Sequence, residues 1–145
     1  MVDQKDNQAI LASVELLYFA YRSFTARPDK ILARRGLGRV HHRILYFVAR
    51  NPGMAVNQLI HTLQVSKQAL NAPLRQLTEM GLVAADTADH DRRVKKLTLT
   101  ERGRDLEEQL TATQIKQMQA AFEKAGKGAA GGWQKIMRSI AESTE

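Results

Sequence analysis

Residues 66–100 read SKQALNAPLRQLTEMGLVAADTADHDRRVKKLTLT, and this stretch decides the fold. Ser66 is a good helix N-cap, because its side-chain oxygen can accept from a free backbone donor of the first turn. Val65 and Leu70 stand at the two positions of a hydrophobic staple. Leu70, Leu74 and Leu77 recur at helical spacing, which predicts a helix to about Met80 with Gly81 as its stop. The period then changes. Leu82–Thr87 predicts a short strand and Val94–Thr100 a second, with Leu97 and Leu99 on one face. Between them, Ala88–Arg93 reads as a polar turn with a charged tip.

Upstream, Gln64-Val65 makes a turn, and Asn57 is the expected N-cap of a short helix ending near Leu63. Two short helices joined by a tight turn and followed by a hairpin make a winged helix-turn-helix. Before it, Arg39–Arg50 predicts a helix with Val40, Ile44, Phe47 and Val48 inward, stopped by Asn51-Pro52-Gly53. A first helix is expected from about Asn7 to Phe24, with Ile10, Val14, Leu17, Tyr21 and Phe24 on one face and Pro28-Asp29 as a break. A basic segment with Lys30, Arg34 and Arg35 follows. Downstream, Thr100 is expected to cap a long helix from Glu101 to about Ala125, striped by Leu106, Leu110, Met118 and Phe122. Gly126–Gly132 is expected to interrupt it before a short helix carrying Trp133, Ile136, Met137 and Ile140. The fold class is therefore mainly α (α+β), a winged helix-turn-helix with long N- and C-terminal helices. The expected division is 1–36 and 101–145 for dimerisation, around a DNA-binding domain at 37–100.

The chain has 145 residues, a formal net charge of +7 and a pI near 10.0, a balance that suits a polyanionic partner. Without cysteine, disulfide frameworks, thiolate zinc sites and cysteine redox sensing are excluded. No apolar run approaches the roughly 20 residues of a membrane span, and the first residues lack a signal-peptide pattern. A soluble cytoplasmic protein without a membrane partner is expected.

The second helix of such a motif fits the major groove, where its N-terminal residues meet base edges and phosphates. Here the outward set is Ser66, Lys67, Gln68 and Asn71, with Arg75 one turn on. Glutamine and asparagine can pair with adenine, and lysine and arginine reach guanine or phosphate. The helix N-terminus itself favours a phosphate. At the hairpin, Arg92 and Arg93 suit a minor groove, with Asp91 bracing one arginine and Lys95 beside the backbone.

The arrangement resembles the MarR family of regulators over nearly the whole chain. The resemblance is carried by Gly81-Leu82-Val83, then Asp91-Arg92-Arg93, Leu97-Thr98-Leu99-Thr100 and Gly103, and by Val65–Leu70 at the start of the recognition helix. Leu45 and Pro52-Gly53 also fall in place. The resemblance implies a homodimer with interlocked helices from both chain ends, and a pseudo-palindromic double-stranded DNA operator, usually repressed. It also implies a pocket for a small, often aromatic effector; His42, Tyr46 and Tyr21 are the candidate lining. The apolar stripes of the two chain ends could instead form a monomer's core, but they flank a small domain, and an intertwined dimer buries them better.

Two residues depart from the family pattern. Gln64 stands where a glycine is usual, and a left-handed conformation there costs roughly 1 kcal/mol. Pro73 lies inside the recognition helix, removes one hydrogen bond and should bend it. Of the histidines, adjacent His41 and His42 diverge by about 100° on a helix and chelate poorly, so no metal is expected. Arg39, His41 and Arg43 are open between contact with DNA phosphate or an acidic effector and a solvated face. No nucleophile–base–orienter set and no phosphate loop is present, so neither enzymatic activity nor a cofactor is expected. The alternative function is a winged-helix protein-interaction module that binds no DNA.

Overall fold

A computed structural model describes residues 4–88 and 90–143, with the side chains of Ala88 and Arg92 excepted. In chain order the elements are α1 (Gln4–Ala33), α2 (Arg39–Arg50), β1 (Met54–Ala55), α3 (Val56–Leu63), α4 (Lys67–Glu79), β2 (Val83–Ala88), β3 (Asp91–Leu99), α5 (Glu101–Ala125) and α6 (Ala129–Ala141). The strands form one antiparallel sheet in the order β1-β3-β2.

The core is aliphatic and runs from Leu32 to Leu110. Leu32, Ile44, Leu45, Val48, Leu59, Leu77, Leu82 and Leu110 are fully buried. On α2 the buried residues are His41, His42, Ile44, Leu45 and Val48, so the inward face takes in two histidines. Val40 and Phe47, expected inward, pack only at the margin of the core.

Both short helices end by the same device. After α4, Gly81 takes φ +73°, its N–H donates to Thr78 at 3.1 Å, and Leu82 N–H donates to Leu77 at 3.0 Å. These are the two bonds of a Schellman motif, and its hydrophobic contact joins the buried Leu82 and Leu77. After α3 the left-handed residue is Gln64, at φ 54° and ψ 46°. Its side chain offsets part of the strain by donating to the His61 carbonyl at 2.8 Å.

Several expectations are corrected. α1 continues through Pro28 to Ala33. Proline removes the donor that would meet the Phe24 carbonyl, and Gln114 Nε2 of α5 donates to that carbonyl at 3.5 Å instead. The cap of α3 is Ala55, not Asn57; Gln58 reaches back to accept from the Ala55 N–H at 2.8 Å. β1 was not expected; it pairs Met54 with Leu97 and Ala55 with Lys96. α4, by contrast, runs across Pro73 to Glu79 as expected. α6 begins at Ala129, so Gly131 and Gly132 are helical and the interruption is confined to Gly126–Gly128.

The hairpin also differs. β2 and β3 pair one-to-one from Val83–Leu99 to Thr87–Lys95, and the next pair is Ala88–Asp91. Arg92, Arg93 and Val94 therefore lie in a bulge on β3, and Asp91 to Arg93 belong to the strand instead of the turn. Asp89, part of the expected turn, lies outside the described residues.

Candidate nucleic-acid interface

Ser66 caps α4 as the sequence requires, its Oγ accepting from the Ala69 N–H at 3.0 Å. That bond fixes the first turn of the helix and leaves Ser66, Lys67, Gln68, Asn71 and Arg75 exposed to solvent. Leu70 and Leu77 are buried on the opposite side. The outward set carries two positive charges, on Lys67 and Arg75, and two amides and no carboxylate. It can donate to phosphate and make paired bonds to base edges.

On the wing, Asp91 and Arg93 form a local clamp. The Arg93 backbone N–H donates to Asp91 Oδ1 at 2.9 Å, Nε to the same oxygen at 3.2 Å, and Nη2 to Oδ2 at 3.4 Å. First that backbone bond and then the guanidinium hold the Asp91 carboxyl below the usual carboxylate range. The Arg93 side chain is 91% exposed, so the brace directs a cation into solvent without neutralising its full donor set. A bulge strengthens local twist and re-aims side chains, and Arg93 sits within one. Lys95 and Lys96 are exposed on the same strand. The Arg92 side chain lies outside the described residues.

The wing and α4 are joined to α5 through Thr100. Its Oγ1 donates to the Gly81 carbonyl at 2.6 Å and accepts from the Gly103 N–H at 3.0 Å, while its own N–H donates to Leu82 at 3.1 Å. A Cβ at Gly103 would stand 1.9 Å from the Leu82 carbonyl oxygen, so only glycine permits this approach.

Behind the interface, a buried polar network ties α2 to α5. Arg50 pairs with Glu107, Thr111 Oγ1 donates to the other Glu107 oxygen at 2.7 Å, and His42 Nε2 lies 3.3 Å from Thr111 Oγ1. The threonine hydroxyl gives its hydrogen to Glu107, so His42 Nε2–H is the donor in the last contact. Burial pushes His42 below the usual imidazole range, against the opposing charge of Glu107. Sequence reasoning missed Glu107 and Thr111, whose signal is only the i, i+4 spacing of an acid and a hydroxyl on a helix.

The three residues named for an effector pocket are not gathered in one cavity. Tyr21 lines an apolar groove of about 620 Å³ between α1, α5 and α6, which also receives Leu17, Phe24, Phe122 and Trp133. Its hydroxyl accepts from Arg43 Nη2 at 2.6 Å. His42 is engaged with Thr111, and Tyr46 lies edge-on to Phe47 with Arg50 4.1 Å above its ring. His42 and Tyr46 do not line the groove.

A sequence profile of the MarR family matches residues 35–94, which span α2 to the wing. The HTH-type transcriptional regulator PetP of Rhodobacter capsulatus is 40% identical over 134 residues, covering 92% of this chain and 81% of PetP. The chain belongs to the MarR family of DNA-binding transcriptional regulators. The fold of this MarR-family regulator matches the crystal structure of the MarR family transcription regulator SP03579. The TM-score is 0.80 at 20% identity, over 94% of this chain and 91% of that one. It also matches Streptococcus pneumoniae FabT in complex with DNA, with a TM-score of 0.74 at 15% identity, over 97% and 96% of the two chains. Among the described residues of the regulator, no helix is long and apolar enough to cross a membrane.

Proposed function

We propose that the protein is a cytoplasmic, homodimeric repressor that binds a pseudo-palindromic operator and is released by a small aromatic effector. The observation that carries the DNA-binding surface is the exposed face of α4 beside a wing whose Arg93 is braced by Asp91. Ser66, Lys67, Gln68, Asn71 and Arg75 would enter the major groove. Arg92 and Arg93 would reach the flanking minor groove, with Lys95 at the backbone. FabT, of the same fold, is known in complex with DNA, which supports this use of the scaffold. A protein-interaction module is not favoured, because the α4 face offers neither the acidic nor the apolar surface that such a role needs. The assignment is to a regulator and not an enzyme.

The dimer is supported by the apolar surface of the chain ends. Ile10, Val14, Tyr18 and Ile136 are each more than half exposed in the single chain, and monomers rarely leave so large an apolar surface open. A second copy burying α1 and α6 would set the two α4 helices about one duplex turn, roughly 34 Å, apart. An effector held in the apolar groove that Tyr21 lines would release DNA only by binding better to a dimer with the wrong α4 separation. The test is fluorescence anisotropy with the protein's own upstream region at moderate salt. Tight, sequence-dependent binding that weakens with an aromatic acid is expected. Affinity equal to that for an unrelated duplex would refute the operator.

A further inference from the structure

α4 is tied back to the turn before α2 by a closed set of hydrogen bonds that DNA contact does not explain. His41 is buried, with 8% of its surface exposed. Its Nδ1 accepts from the Gly38 N–H at 2.9 Å, and its Nε2 lies 2.9 Å from Gln76 Oε1. A backbone N–H can only donate, so Nδ1 carries no hydrogen and Nε2–H is the second donor. The glutamine amide is then fixed as well: Oε1 faces the imidazole, and Nε2 donates to the Gly36 carbonyl at 3.4 Å. Donor and acceptor roles agree at every contact.

Among the described residues these are the only side-chain hydrogen bonds from α4 to another element. The other contacts of α4 with the core are apolar, through Leu70, Leu74 and Leu77. Apolar burial fixes which face of α4 turns inward but is itself non-directional, so a hydrogen bond on the helix flank adds the angular restraint. Gln76 sits on the flank of α4, between the buried side and the side that carries Gln68, Asn71 and Arg75. A directional bond on that flank sets where those three side chains point.

We infer that His41 and Gln76 are positioning residues for DNA readout: the imidazole, its tautomer chosen by the Gly38 N–H, fixes the rotation of α4. The pair touches no base. This rests on α4 being the base-reading helix and deepens that assignment by naming what orients it.

The test compares the tightest duplex selected from a random pool with a scrambled duplex of the same length and composition. Gln76→Ala is expected to weaken the selected duplex about tenfold, as loss of a hydrogen-bonded orientation would. It should leave the scrambled duplex nearly unchanged and lower the melting temperature by only a few degrees, since the buried His41 Nε2–H loses its acceptor. Two histidine variants separate orientation from helix capping. His41→Gln can place an amide nitrogen near the Nε2 position, and His41→Asn can place an oxygen near Nδ1. Positioning requires His41→Gln to discriminate between the duplexes better than His41→Asn; the reverse order would assign His41 to capping α2 and overturn the proposal. Nitrogen-15 NMR of the free protein should show the Nε2–H tautomer at His41, and the Nδ1–H tautomer would refute the geometry. A wild-type chain without duplex preference would overturn the readout itself. That failure differs from a preferring wild type whose Gln76→Ala variant keeps full discrimination, which overturns the positioning role alone.

Discussion

At the level of single side chains, Arg93 and Asp91 carry the sharpest expectations. Arg93 is held by three bonds to one carboxylate and presents an exposed guanidinium. Arg93→Ala should weaken operator binding roughly tenfold to a hundredfold, the range of a good groove contact, in an anisotropy titration. Asp91→Ala should cost less, because the cation remains and only its direction is lost. His42 sets a pH dependence. Its folded pKa lies below the ordinary imidazole value because the ring is buried. On acidification the unfolded chain takes up the proton first, so stability falls as pH drops through about 6.5 towards the depressed value. Thermal melts of the wild type should show this loss, and His42→Gln should show a shallower one. Ser66, Asp91 and Arg93 were legible in the sequence because their bonds span two or three residues. The Arg50–Glu107–Thr111–His42 network was not, because it joins positions up to 69 residues apart.

Whole elements show the same division between local and distant causes. The joint between the wing and α5 depends on Gly103. On helix propensity alone, Gly103→Ala should stabilise by about 1 kcal/mol, but the added Cβ would stand 1.9 Å from the Leu82 oxygen. The clash reverses the sign, and calorimetry should show a loss of about 2 kcal/mol or more. Pro73 gives the opposite expectation. α4 is helical across it, and Pro73→Ala restores one backbone donor without disturbing Leu70 or Leu77. It should raise the melting temperature by a few degrees, about 1 kcal/mol or more. The two helices of the turn, the strands and the long α5 were readable from caps and apolar spacing. The course of α1 through Pro28 was not, since the donor to the Phe24 carbonyl comes from Gln114 on α5. Nor was β1, which exists only because residues near Leu97 pair with it. The wing bulge escaped for a related reason: alternation predicts a strand, whereas the register between two strands is a property of the pair.

For the molecule as a whole, the division of burial is decisive. No described residue before Thr25 or after Thr111 is buried, although α1, α5 and α6 carry apolar stripes beyond those points. The core closes between Leu32 and Leu110, and the apolar stripes beyond it stay exposed in the single chain. Light scattering should give twice the 16.3 kDa chain mass. Ile136→Glu should shift it towards one chain mass without unfolding the core, since Ile136 is 62% exposed in the single chain. The dyad and the DNA surface are then tested together by sequencing duplexes that the wild-type protein retains from a random pool. An inverted repeat is expected, with half-site centres about 10 base pairs apart, one turn of the double helix. Recovery of no enriched sequence, or of a motif lacking two-fold symmetry, would contradict a pair of α4 helices reading one duplex.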